Sequence, residues 1–229
     1  VMANFSKLEN NGKIIRQGVS FHPNNEPFKH TIKELSKKEI VNYARHFLKH
    51  PSNHLISYCW ARLYKLSIIK NNNIFANEDM RLFEDFVFNL DYLKHTNKIV
   101  FINEPLYTYA MHNNYVSVSM AIINSDSLAR DMNVFKERAV EFLEQINNKT
   151  NKIKIRREVG HALFHYAIIF LIRSCRQITK NTRKKIYDEI KKFINTPIFR
   201  ESLKYYSPSK GNSRILPILA RLRLVNLII

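Results

Sequence analysis

Trp60-Ala61-Arg62-Leu63-Tyr64-Lys65, then Phe83-Glu84-Asp85-Phe86-Val87-Phe88, then Ile102-Asn103-Glu104-Pro105-Leu106-Tyr107-Thr108-Tyr109, then His112 and Ser117-Val118-Ser119 carry most of the information in this sequence. Phe83, Val87 and Leu90 keep a helical period, with Phe86 and Leu93 beside them, and predict a helix from Phe83 to about His95. Ile99 to Ile102 and Leu106 to Tyr109 predict two short strands separated by a Glu104-Pro105 turn. Adjacent acids at a helix start sit against the positive end of its dipole, which favours their ionised form. A carboxylate held that way in a cleft can take a proton from a hydroxyl nucleophile. Plain charge compensation at the helix end is the blander reading of Glu84-Asp85, and composition alone favours it.

Working outward, residues 2–8 and 14–21 flank Asn10-Asn11-Gly12-Lys13 and predict a β-hairpin. A loop rich in Pro and Asn runs from His22 to Pro27. Ser36-Lys37-Lys38-Glu39 reads as a capping box opening a helix to about Lys49, with Ile40, Tyr43, Ala44 and Phe47 on one face. Pro51 stops it. Leu66 to Lys70 predicts a short helix. From about Ser125 the pattern becomes purely helical, with stretches near 125–147, 152–176 and 182–194. Pro217 suits the first turn of a further helix in the tail from Arg214 to Ile229.

The 229 residues include 45% hydrophobic and 12% aromatic side chains, enough to bury a core and to exclude wholesale disorder. The longest apolar run, Ala162 to Ile172, is too short to span a bilayer. Cys59 and Cys175 make no disulfide framework; both read as buried small hydrophobes in a reducing compartment. The net charge of +18 is uneven. Residues 1–148 hold 18 basic and 15 acidic side chains, whereas residues 149–229 hold 19 and 4. The last third therefore attracts polyanions such as an anionic membrane leaflet, nucleic acid or phosphorylated substrates. Glu158, His161 and His165 lie on one helical face, but the ligand pattern of a zinc or di-metal helix is missing, and packed histidines are the expectation. Tyr205-Tyr206 could stack on bases or simply pack locally.

The ordered set from Trp60 to Ser119 resembles the C-terminal half of the catalytic domain of family-2 glycosyltransferases of the GT-A fold. That family shows an aromatic segment, a Glu-Asp pair followed by an aromatic, a strand ending in Pro-Leu-Tyr-x-Tyr, and a polar segment with a basic residue or His and closing serines. Val1 to Phe5 and Glu9 to Lys13 also resemble the segment after the family's acidic metal-binding motif, so the likeness covers about residues 1–120. It implies an α/β, partial GT-A fold over 1–120, the acceptor side of the domain, followed by a basic all-helical extension over 121–229. It also implies a general base in Asp85, a positioning or acceptor-contacting acid in Glu84, an acceptor-lining Trp60 and Tyr109, and a His112 near the donor diphosphate.

The implied reaction is inverting transfer from a nucleotide sugar to a surface glycan or lipid-linked acceptor, by a hexosyl- or related glycosyltransferase. A divalent cation, Mg or Mn, is expected for the full-length enzyme, but no Asp-x-Asp motif occurs in these residues. The opening at Val1, in a strand-like run with nothing before it to pair with, reads as a piece of a longer chain whose nucleotide-binding half lies upstream. By itself this piece is expected to be inactive. The expected location is the cytoplasm, with peripheral attachment to the inner face of the membrane through the basic tail. The alternative reading is a non-enzymatic basic helical module that binds nucleic acid or an anionic membrane.

Overall fold

A computed structural model describes residues 1–8, 13–17, 32–51, 55–110, 124–146, 152–208 and 213–229. The expected turn at 9–12, the loop at 22–27, His112 and the serines at 117 and 119 lie outside the described residues. The chain divides into two compact units, one of residues 1–77 and 84–116, the other of residues 78–83 and 117–229.

Among the described residues, the first unit is built on a mixed four-stranded sheet in the order β2-β1-β4-β3. The strands are β1 (Met2–Leu8), β2 (Ile14–Gln17), β3 (Ile32–Ser36) and β4 (Lys98–Ala110). β1 pairs antiparallel with β2, with Leu8 opposite Ile14, as the hairpin pattern predicts. On its other side β1 runs parallel to β4. The two strands expected around a Glu104-Pro105 turn are one thirteen-residue strand. The register explains how: Ala3 lies opposite Ile102 but Asn4 lies opposite Pro105. Asn103 and Glu104 are thus extra residues in a bulge, where a proline lacking its N–H is tolerated without breaking the ladder. β3 has no distinct signal in the sequence because Lys33 and Glu34 interrupt its short apolar alternation.

Helix α1 (Lys37–Lys49) begins with the expected capping box, Ser36 and Glu39 satisfying each other's backbone N–H groups. It buries Ile40, Tyr43, Ala44, Phe47 and Leu48. Helix α3 (Glu84–Lys94) buries Phe86, Val87, Leu90 and Leu93, and the Phe47 and Phe86 rings meet at 5.0 Å. Lys37 Nζ donates to the carbonyls of Leu93, Lys94 and Thr96 at 2.6, 2.9 and 3.0 Å. The first residue of α1 thereby closes the last turn of α3 with a cation at the negative end of its dipole. Between them, α2 (Leu66–Asn71) buries none of its residues.

The Ser36 backbone N–H, then the Ser36 hydroxyl, then Lys33, hold the Glu39 carboxyl below the usual carboxylate range. A depressed folded-state pKa contributes stability above the unfolded value of about 4.3, and that contribution is lost as pH falls through the folded value. Glu39→Gln is expected to be less stable than the parent at pH 6. The gap should close as pH is lowered below about 4, read by denaturant midpoints across pH.

The second unit is helical: α4 (Ser125–Ile146), α5 (Lys152–Cys175), α6 (Arg183–Ile194), α7 (Pro197–Leu203), α8 (Ile215–Arg221) and α9 (Val225–Ile228). Phe135, Phe142, Phe164, Phe193 and Phe199 are fully buried and form its core. The segment 78–83 belongs to this unit. Asp131 of α4, wholly buried, accepts from the backbone N–H groups of Arg81 and Leu82 at 3.0 and 3.2 Å. Phe83 was expected on the inward face of α3. Instead it precedes that helix in a left-handed backbone (φ 68°), with its ring against Phe135 and Tyr166 at 5.0 and 5.2 Å. Left-handed geometry costs a bulky residue about 1–2 kcal/mol, which this aromatic packing offsets.

Candidate active site

The segment from Leu55 to Lys65 is irregular, with a short 3₁₀ turn at Leu55–Ser57. It is held in place by one stripe of α3. Asp85, Asn89 and Tyr92 follow each other at four and three residues, so they share a helix face. Asp85 Oδ2 accepts from the Cys59 backbone N–H at 3.1 Å. Asn89, almost completely buried, donates to the carbonyls of Ile56 and Tyr58 at 2.9 and 3.0 Å and accepts from the Tyr64 hydroxyl at 2.7 Å. The Tyr92 hydroxyl accepts from the Lys65 N–H at 2.8 Å.

The segment so fixed presents Trp60 in a stack. Its ring lies 4.3 Å from Tyr58, 5.1 Å from Tyr107 and 5.6 Å from Tyr109, with interplanar angles of 21°, 16° and 29°. Tyr107 and Tyr109 alternate along β4 onto one face of the sheet and remain 37% and 42% exposed, so the stack is open to solvent. Ala61 takes a left-handed backbone (φ 56°) between Trp60 and Arg62, and its carbonyl accepts from the Ala3 N–H at 2.9 Å.

Electrostatics around Asp85 are uneven. Burial, then the Asp85 charge, push the Cys59 thiol up to about 12, so it is no nucleophile at neutral pH. Arg62 has a buried Nη2 without a hydrogen-bond partner among the described residues. Burial lowers its pKa, while Tyr64, Tyr43, Cys59 and Asp85 oppose that. Burial likewise raises the Tyr64 phenol. Both cysteines, expected to be buried, are only half-buried. The Cys59 thiol bonds the Asp85 carbonyl and the Cys175 thiol the Ile228 carbonyl.

Trp60 and Tyr109 are therefore brought together, and Asp85 is tied to Cys59, the residue before Trp60. Glu84 is half-buried at the first position of α3. His112 lies outside the described residues. Among the described residues, no group of three His, Cys, Asp or Glu side chains is placed to hold a metal ion. In the second unit, His161 stacks on Tyr206 at 5.4 Å and accepts from the Ser207 N–H through Nδ1 at 3.4 Å. Tyr205 fills the space beside Gly160, and Tyr206 also leans on Phe164. These tyrosines are used in packing.

No family model matches the chain, and no curated protein does. A solved structure does match. The fold is similar to that of TarS. S. aureus TarS, residues 1–349, was crystallised in complex with UDP-GlcNAc, and the likeness has a TM-score of 0.51 at 15% identity. It covers 98% of this chain and 56% of the TarS chain. The mixed α/β chain is thus structurally similar to a GT-A glycosyltransferase, and at this identity TarS speaks for the fold.

Asn89 and Asp131 were missed in the sequence. The signal for Asn89 was available: an amide in a face that otherwise reads Phe86, Val87, Leu90 and Leu93 is buried and must be satisfied. Asn89→Ala would remove the hydrogen bonds to the Ile56 and Tyr58 carbonyls and from the Tyr64 phenol. We expect a loss of about 2–3 kcal/mol in chemical unfolding and a red-shifted emission from Trp60, the single tryptophan of the chain.

Proposed function

We propose that this chain forms the acceptor side of a glycosyltransferase that moves a sugar from a nucleotide sugar to a hydroxyl of a surface glycan with inversion. One observation carries the reading: Asp85 is anchored one residue from an open Trp60–Tyr107–Tyr109 stack. Flat aromatic rings offer an apolar face with polar handles, which suits the C–H face and hydroxyl rim of a sugar. The fold similarity to a chain crystallised with UDP-GlcNAc supports a nucleotide sugar as donor.

In this reading the acceptor sugar lies on the aromatic stack with one hydroxyl toward Asp85. The carboxylate has its Oδ2 fixed by the Cys59 backbone N–H. Oδ1 takes the hydroxyl proton as the acceptor oxygen forms its bond to the anomeric carbon. The bond from that carbon to the diphosphate oxygen breaks, and its electron pair leaves with the nucleoside diphosphate. Attack from the opposite face inverts the centre. Glu84 contacts the acceptor or orients Asp85.

Because Trp60 is the sole tryptophan, its emission reports directly on the stack. Titration with bacterial surface oligosaccharides is expected to give a saturable change that Tyr107→Ala weakens. A flat response to every glycan, together with normal transfer by Trp60→Ala in a protein carrying the donor-binding half, would remove the aromatic stack from the site.

A further inference from the structure

The C-terminal residues are firmly docked yet leave an apolar face uncovered. Ala220 and Val225 are buried. Arg200 donates to the carbonyls of Ala220 and Arg221 at 2.9 and 3.3 Å, and the Cys175 thiol reaches the Ile228 carbonyl. With α8 and α9 so fixed, Ile215, Ile218, Leu222, Leu224 and Leu227 remain 41–67% exposed. At 100° per residue, Arg214, Ile215, Ile218, Arg221 and Leu222 fall within one arc of about 120°. Ala220 lies on the opposite, docked side. One edge of the outward arc is cationic and the other apolar. Arg223, also exposed, sits at the left-handed joint between the two helices (φ 60°). No Asp or Glu follows Glu201 in the sequence. Beside α8 an open groove of about 260 Å³ is lined by Leu171, Ile172, Cys175, Arg176, Leu216 and Ile228.

We propose that α8 and α9 form a docking surface for an anionic lipid bilayer, the apolar edge entering the acyl boundary and Arg214, Arg221 and Arg223 lying among the headgroups. The charge of the surface decides the occupant. A second copy would bring two acid-free basic faces together, and nucleic acid would leave five large apolar side chains without a partner. An anionic leaflet satisfies both halves of the arc. No described helix is long and apolar enough to cross a membrane, so the contact is in the plane of the surface. The proximity of Arg223 adds to burial in lowering the Arg200 pKa, a crowding of cations that a lipid phosphate relieves.

The test is co-sedimentation of the protein with vesicles of phosphatidylglycerol and phosphatidylcholine against phosphatidylcholine alone. Binding to the anionic vesicles that weakens with salt is expected. Joint neutralisation of Arg214, Arg221 and Arg223 to Gln should cut the partition coefficient by about a hundredfold, on about a fivefold effect per headgroup charge. Ile218→Ser with Leu222→Ser should weaken binding at unchanged charge. These positions are exposed, so melting temperatures of both variants should match the parent, and Trp60 emission should still respond to glycans. Equal binding to both vesicle types would overturn the proposal, as would variants that sediment like the parent. A dimer abolished by the Ile218 and Leu222 changes, or a nucleic-acid gel shift without vesicle binding, would assign the face to a different occupant and equally overturn it.

Discussion

Turnover by Asp85→Asn, in a protein that carries the donor-binding half, is expected to fall by about 10²- to 10⁴-fold, the usual contribution of a positioned base. The amide keeps an oxygen that can accept from the Cys59 N–H, so the 55–65 segment should stay in place. What is lost is the ability to take a proton. The acceptor KM and the glycan response of Trp60 should change little, because the aromatic stack is untouched. Asp85→Ala removes the Cys59 bond as well and should add about 1 kcal/mol of instability. Near-normal turnover in the Asn variant would reject Asp85 as the base; a raised KM with unchanged kcat would make it an acceptor-binding group instead.

The largest stability effect is expected at Asp131. Asp131→Ala should destabilise the helical unit by about 3 kcal/mol or more, because two backbone N–H groups lose a buried anionic acceptor at once. Arg130, whose side chain is 52% exposed, pairs with the same carboxylate at 3.3 Å. Arg130 also donates to the Asp79 carbonyl through Nη2 at 2.5 Å, so Arg130→Ala removes that bond and the half-exposed ion pair at about 1–2 kcal/mol, while both backbone bonds to Asp131 remain. Thermal melts of the two variants, with limited proteolysis of the 78–83 segment, check the contrast. Equal losses at the two positions would mean that Arg130, through Asp131 and the Asp79 carbonyl, holds that segment as much as the backbone cradle does.

Local signals were readable where chemistry is local. The capping box at Ser36 and Glu39, the hairpin strands, and the three long helices follow from side-chain periodicity and short-range hydrogen bonding. The grouping of Trp60, Asp85 and Tyr109 came from motif order; the structure stacks Trp60 on Tyr109 and ties Asp85 to Cys59, the residue before Trp60. What escaped was set by contacts distant in sequence. Pro105 reads as a turn until β1 is seen to accommodate it in a bulge. Phe83 reads as a helix residue until Phe135 and Tyr166 are seen to draw its ring away. Asn89 and Asp131 look like ordinary polar helix residues because their partners lie 25 to 50 positions away.

The placement of β1 inside the sheet has a consequence for biosynthesis. Its parallel neighbour begins at Lys98, so about ninety residues must leave the ribosome after Leu8 before the pair can form. At ordinary translation speeds that is roughly 5–20 s. Throughout that interval the nascent hairpin exposes an unzipped ladder edge, a template for pairing with other chains. Recovery of intact protein should therefore depend on how slowly and how coldly the message is read, and on chaperones that shield the first strands until the last one arrives.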